Sequence, residues 1–120
     1  GLLQEVLETG ADFQGDEQNR LSSKEIKLLM FGHIVQGRLS SGSPALMQVS
    51  NEGKMVFRTD TLLMTGIAYI SNGKFCQQSE SLVTLRRATC GPIFRNNPDN
   101  GKEPFTYVNA TEIFHFKSID

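Results

Sequence analysis

The amino-acid sequence predicts a mainly β (α+β) fold, with an N-terminal helix packed on a small antiparallel β-barrel or a strongly curved meander sheet. Three observations predict it. One segment carries matched helix start and stop signals, the periodicity becomes strand-like from His33 onward, and turn residues then recur at short intervals. A chain of 120 residues fits one domain and one core, burying about two-thirds of the surface that the unfolded chain exposes.

Residues 1–20 read as an N-terminal extension or frayed helix. Leu2, Leu3, Val6 and Leu7 have helical spacing, and a polar stretch follows them. Residues 21–120 then form a single helix-plus-β domain. Ser22 and Glu25 have capping-box spacing, so each can satisfy an amide that the first helical turn leaves without a partner. Leu21 and Ile26 occupy the two hydrophobic-staple positions, Gly32 suits a left-handed C-cap, and Ile26, Leu29 and Met30 make an apolar face. That face is expected to pack on a sheet or to plug a barrel end.

The candidate strands are residues 33–39, 45–50, 54–59, 66–71, 74–78, 82–87, 90–94, 105–109 and 112–117. Turn residues separate most of them, most clearly Asn72-Gly73. A two-residue type I′ turn needs positive φ at both positions, which Asn and Gly tolerate best. Sequential hairpins of this kind suggest a meander that curls on itself. In strand 66–71, Ile67 and Tyr69 share one face and Ala68 and Ile70 the other, so the strand is expected to be central or covered by the helix. In strand 112–117, Phe114 and Phe116 point one way and Ile113, His115 and Lys117 the other, the pattern of a half-buried strand.

Charge narrows the partners. With 12 Lys and Arg against 13 Asp and Glu, the net charge is -1, and no overall field gathers nucleic acid or an anionic membrane. No apolar run approaches the ~20 residues of a membrane span, and the first residues lack the basic and long apolar regions of a signal peptide. A chain beginning at Gly1 reads as a mature or trimmed form, so the compartment is inferred from the cysteines.

Cys76 and Cys90 stand 14 positions apart, enough for two strands and a connection that bring the sulfurs together. A disulfide is expected, worth about 3 kcal/mol for a loop of ~15 residues. It implies an oxidising compartment, periplasmic or secreted. Two separate reduced thiols are the alternative. The spacing lacks the close pairing of a zinc knuckle and the Cys-x-x-Cys of a redox pair, so no metal or cofactor is expected.

His33 and His115 are the only imidazoles. His33 follows the helix C-cap and His115 alternates with Phe114 and Phe116, which favours structural roles. No Gly-x-Ser-x-Gly elbow and no Gly-rich phosphate loop is present, and no catalytic residues are assigned. Arg86 and Arg87, with Lys74 and Arg95, make a small basic patch suited to blunting a strand edge. Asn109-Ala-Thr111 is an N-glycosylation acceptor pattern.

With these residues in place, the chain resembles small exported bacterial domains of unknown function that have a helix, a curved antiparallel sheet and a two-cysteine hairpin. The matching positions are Leu21, Ser22, Glu25, Ile26, Leu29 and Gly32, then Gly53, Gly66, Ile70, Asn72, Gly73, Phe75 and Cys76, and finally Cys90, Ile93 and Arg95. Ala68 stands where the pattern carries a Trp. The resemblance spans roughly residues 21–117 and implies export, the disulfide and a compact β fold, and it carries over no catalytic residues.

Two functional readings follow. The first is a non-enzymatic extracytoplasmic binding or sensory module that holds a small apolar ligand or an envelope protein partner, with Phe31, Phe57, Met64, Tyr69 and Phe75 as candidate pocket lining. A protease-inhibitor-like barrel, with residues 1–20 entering a target's cleft, is a variant of it. The second is a small periplasmic enzyme of a cone-shaped α+β type, using His33 or His115 with Asp60 or Glu112 as acid and base.

Overall fold

The computed structural model describes residues 17–80, 88–97 and 103–120. The apolar cluster at residues 2–7, the candidate strand 82–87, the Arg86-Arg87 patch and most of the turn at 96–101 lie outside the described residues.

The capping box forms. Ser22 Oγ accepts from the Glu25 amide at 3.2 Å, and Glu25 Oε1 accepts from the Ser22 amide at 2.9 Å. Helix α1 (Ser23–Met30) therefore starts where the sequence places it and ends before Gly32, whose φ of 80° turns the chain into the sheet. Both staple residues, Leu21 and Ile26, are buried, as is Met30, while Leu28 faces solvent.

The strands are β1 (His33–Leu39), β2 (Pro44–Val49), β3 (Lys54–Thr59), β4 (Leu63–Ser71), β5 (Lys74–Ser79), β6 (Ala88–Gly91), β7 (Ile93–Arg95), β8 (Phe105–Val108) and β9 (Ile113–Ser118). They form one antiparallel sheet in the order β6-β5-β4-β3-β2-β1-β9-β8-β7. The two terminal strands are halves of one bent segment, so the sheet curls into a nearly closed barrel. The sequence suggests a single strand over residues 90–94; Pro92, which has no amide to donate, splits it where the chain changes partners. Before the proline, Cys76 faces Cys90 and Phe75 faces Gly91; after it, Ile93 faces Tyr107. The Val108 amide donates to the Pro92 carbonyl at 3.1 Å across the bend.

Glycine is required at that bend. A Cβ on Gly91 would overlap the Val108 carbonyl oxygen, so the closing strand can approach β8 only without a side chain. The Asn72-Gly73 turn also has its expected geometry, with φ of 53° and 74°.

Inside the barrel, alternate residues of successive strands make one core: Val35, Met47, Val49, Met55, Phe57, Ala68, Phe75, Ile93, Tyr107, Phe114 and Phe116. Phe114 and Phe116 stack with centroids 5.0 Å apart, and Phe57 meets Phe114 edge-on at 6.1 Å. Phe75 meets Tyr107 edge-on at 5.3 Å, and the Tyr107 hydroxyl donates to the Phe75 carbonyl at 3.0 Å, linking β8 to β5 through the interior. Helix α1 plugs one end of the barrel with Leu21, Ile26 and Met30, tied down by Leu21 N donating to Ile93 O at 2.8 Å and Gly32 N donating to Val49 O at 2.7 Å.

Strand β4 takes the first of the two expected forms. It is central in the sheet, but its outer face is bare: Leu63, Ile67 and Tyr69 are all exposed, and the helix covers only the inner side with Ala68.

The Cys76–Cys90 disulfide forms between residues already paired in register, on the barrel's outer face. It locks β5 to β6, the first half of the closing strand. Gly91→Ala is expected to cost several kcal/mol, among the largest single-residue effects (~4 kcal/mol), because the closure must open to admit a methyl group. Chemical denaturation followed by far-ultraviolet circular dichroism would measure it, and a loss below ~1 kcal/mol would contradict this account of the closure.

Candidate functional site

With α1 closing one end, the concavity at the opposite end of the barrel is open. Its lining is Phe57, Leu62, Met64, Gln77, Ser79, Thr89, Thr111 and Glu112, around a volume of about 180 Å³. Phe57 and Gln77 reach it because they alternate inward with buried neighbours on β3 and β5, while Leu62 comes from the turn between β3 and β4.

Glu112 is set by the turn between β8 and β9. Asn109 Oδ1 accepts from the Thr111 amide at 2.9 Å, the Thr111 hydroxyl at 2.8 Å and the Glu112 amide at 3.0 Å, an Asx turn that holds the loop against the mouth. Burial pushes the Glu112 carboxyl above the ordinary carboxylate range. It also pushes the Tyr107 phenol far above its usual value. Asn109 is itself buried, so the glycosylation pattern at 109–111 offers no room for a glycan in this fold.

Two buried polar atoms at this end have no hydrogen-bond partner among the described residues: Gln77 Oε1 and Asn109 Nδ2. Gln77 is 6% exposed. An acceptor left in this state costs about 1–3 kcal/mol relative to a satisfied one. The mouth therefore combines an apolar wall of Phe57, Leu62 and Met64, hydroxyls from Ser79, Thr89 and Thr111, and one carboxyl biased toward its neutral form, with the unpartnered Gln77 Oε1 buried just behind the lining.

The residues singled out in the sequence are distributed as follows. Phe57 and Met64 line the mouth. Phe75 is fully buried in the core, Phe31 packs against the core beside the helix plug, and Tyr69 is on the outer face of β4. The four acid–base candidates are not gathered in one lining. His33 Nδ1 lies 2.7 Å from the Asp120 carbonyl oxygen, Asp60 borders a shallow outer depression with Arg58, Glu112 is at the mouth, and His115 lines a groove on the outside of the barrel. Of the basic residues, Arg95 pairs with Glu25 at 3.0 Å. Among the described residues no group of three His, Cys, Asp or Glu could hold a metal ion, and no helix is long and apolar enough to cross a membrane.

Sequence reasoning missed Gln77 and Asn109. Gln77 was legible in principle, since it alternates with Phe75 and must share its inward face. Asn109 resembled a surface sequon, and only the β8–β9 pairing places it under the barrel end. No protein-family model, curated protein or solved structure matches the chain.

Replacing the unpartnered acceptor should stabilise the unliganded protein. Gln77→Met is expected to raise the unfolding free energy by about 1–2 kcal/mol, and a loss of stability would show that Gln77 is satisfied within the fold. For Glu112, the folded-state pKa is raised, so between the unfolded and folded values the native state binds more protons than the unfolded state. Stability contributed by the neutral form is thus present at low pH and lost as pH rises through the folded pKa. Thermal melts between pH 4 and pH 8 should show this decline in the native protein, and Glu112→Gln should flatten it.

Proposed function

We propose that this protein is a non-enzymatic, extracytoplasmic binding module whose barrel mouth holds a small amphipathic ligand. The apolar part of the ligand lies against Phe57, Leu62 and Met64, and a hydrogen-bond donor on it turns the Gln77 amide so that Oε1, buried in the empty protein, faces the mouth. The unpartnered Gln77 acceptor carries this reading, because an atom that costs stability in the empty protein is satisfied by a bound donor. The mouth's volume of about 180 Å³ suits a ligand near the size of benzene, for which a cavity of ~150 Å³ suffices. Mouths of β-barrels are a common place for such sites.

The disulfide supports placement outside the reducing cytosol, in keeping with the resemblance to exported domains. A protein partner is the second reading, favoured by the apolar stripe of Leu63, Ile67 and Tyr69 on the outside of β4.

Native against denaturing mass spectrometry of protein purified from its own source separates the two. A reproducible small-molecule mass excess is expected in the native spectrum, absent from Gln77→Met protein that remains folded. A native mass equal to the chain alone, with binding lost on Ile67→Asp instead, would overturn the mouth reading in favour of the protein partner.

A further inference from the structure

A second concavity lies on the barrel's outer face, independent of the mouth. Within the sheet β1 pairs with β9, so that Arg38 stands directly opposite His115 and Gln36 opposite Lys117. These four side chains, with Gly37, Pro44 and Glu103, line a groove of about 480 Å³. Like charges placed side by side on one sheet face are unfavourable unless something neutralises them. Among the described residues neither Arg38 nor Lys117 forms an ion pair, the two ion pairs being Arg20 with Glu17 and Arg95 with Glu25. Arg38 Nη1 is steered by donating to the Gly42 carbonyl at 2.9 Å.

His115 is held by a relay that fixes its tautomer. The Asn96 amide nitrogen donates to the Glu103 carbonyl at 2.8 Å and to Thr106 Oγ1 at 2.7 Å. Thr106 is fully buried, and its oxygen lies 2.9 Å from His115 Nδ1. With Asn96 already donating to that oxygen, the Thr106 hydroxyl hydrogen would be left without an acceptor unless it goes to Nδ1. Nδ1 is thereby the acceptor, and the neutral imidazole carries its hydrogen on Nε2. A buried threonine and a half-buried asparagine spent on orienting one half-buried histidine is an arrangement that a merely solvated strand face does not need.

We propose that this groove is an anion site that holds the carboxylate of a small ligand, with Arg38 and Lys117 supplying charge beside the His115 ring that Thr106 orients. Arg38 offers the planar fork that matches a carboxylate, and Lys117 adds a point charge. Glu103 leaves the lining one net positive charge when His115 is neutral, which suits a singly charged carboxylate better than a doubly charged phosphate monoester.

The test is a nitrogen–proton correlation NMR titration of the folded protein with acetate, and separately with inorganic phosphate, each against chloride at equal ionic strength. Acetate is expected to give saturable shifts confined to Gln36–Arg38 on β1 and His115–Lys117 on β9. Arg38→Gln should weaken its binding about tenfold, as should Lys117→Gln. Thr106→Val should mix the His115 tautomers in the imidazole nitrogen spectrum and lower acetate affinity, with Thr106→Ser restoring both. Gln77→Met should leave acetate binding unchanged, which separates this site from the mouth. Shifts reproduced by chloride, equal affinity in Arg38→Gln, or phosphate binding more than tenfold tighter than acetate would each overturn the assignment.

Discussion

The structure depends on the closure at Gly91 and Pro92. Strand pairing extends a sheet edge by edge and leaves two open edges unless the last strand finds the first. Here one bent segment, β6 and β7, pairs with β5 on one side of a proline and with β8 on the other. The absent Gly91 side chain lets the Val108 carbonyl come close, the Pro92 carbonyl accepts the Val108 amide, and Tyr107 bonds back to β5 from within. The disulfide holds the same segment from outside. Without this closure the aromatic interior would be a half-covered sheet face, and the mouth would not exist.

The sheet topology also positions both candidate sites. Plugging one end with α1 leaves the other as the only axial opening among the described residues, and the Asx turn of Asn109 brings Glu112 to it. Joining β1 to β9 sets Arg38 beside His115, although the two are remote in sequence. At the mouth, local stability is given up: an unpartnered amide oxygen and a carboxyl lifted by burial are arrangements that an apolar substitution would relieve. Such departures from internal consistency are expected where a protein binds something.

Much of the fold was legible in local chemistry. Ser22, Glu25, Leu21, Ile26 and Gly32 define a helix through contacts within a few residues, and Asn72-Gly73 defines a hairpin through φ alone. The alternation of Phe114 and Phe116 with His115 and Lys117 separated core from outside correctly. What local reasoning could not supply was the partner of each face. Ile67 and Tyr69 look like core from composition, yet β4 has nothing over its outer side among the described residues, because the helix sits at the barrel end and not across the sheet. The break at Pro92 was equally hidden, since a proline in a short apolar run signals interruption without saying that the two halves pair with different strands. The candidate pocket residues scattered for the same reason: Phe57 and Met64 lie near the open end, whereas Phe75 lies beneath Tyr107 at the centre.

The central claim is that the barrel mouth is a binding site organised by an acceptor that the protein leaves unpaired. A high-resolution crystal structure of protein purified from its own source tests it most directly. The account predicts density for a small molecule between Phe57, Leu62 and Met64, with a donor within hydrogen-bonding distance, about 3 Å, of Gln77 Oε1. A mouth closed by its own side chains, with the Gln77 amide bonded to another group of the protein, would contradict it.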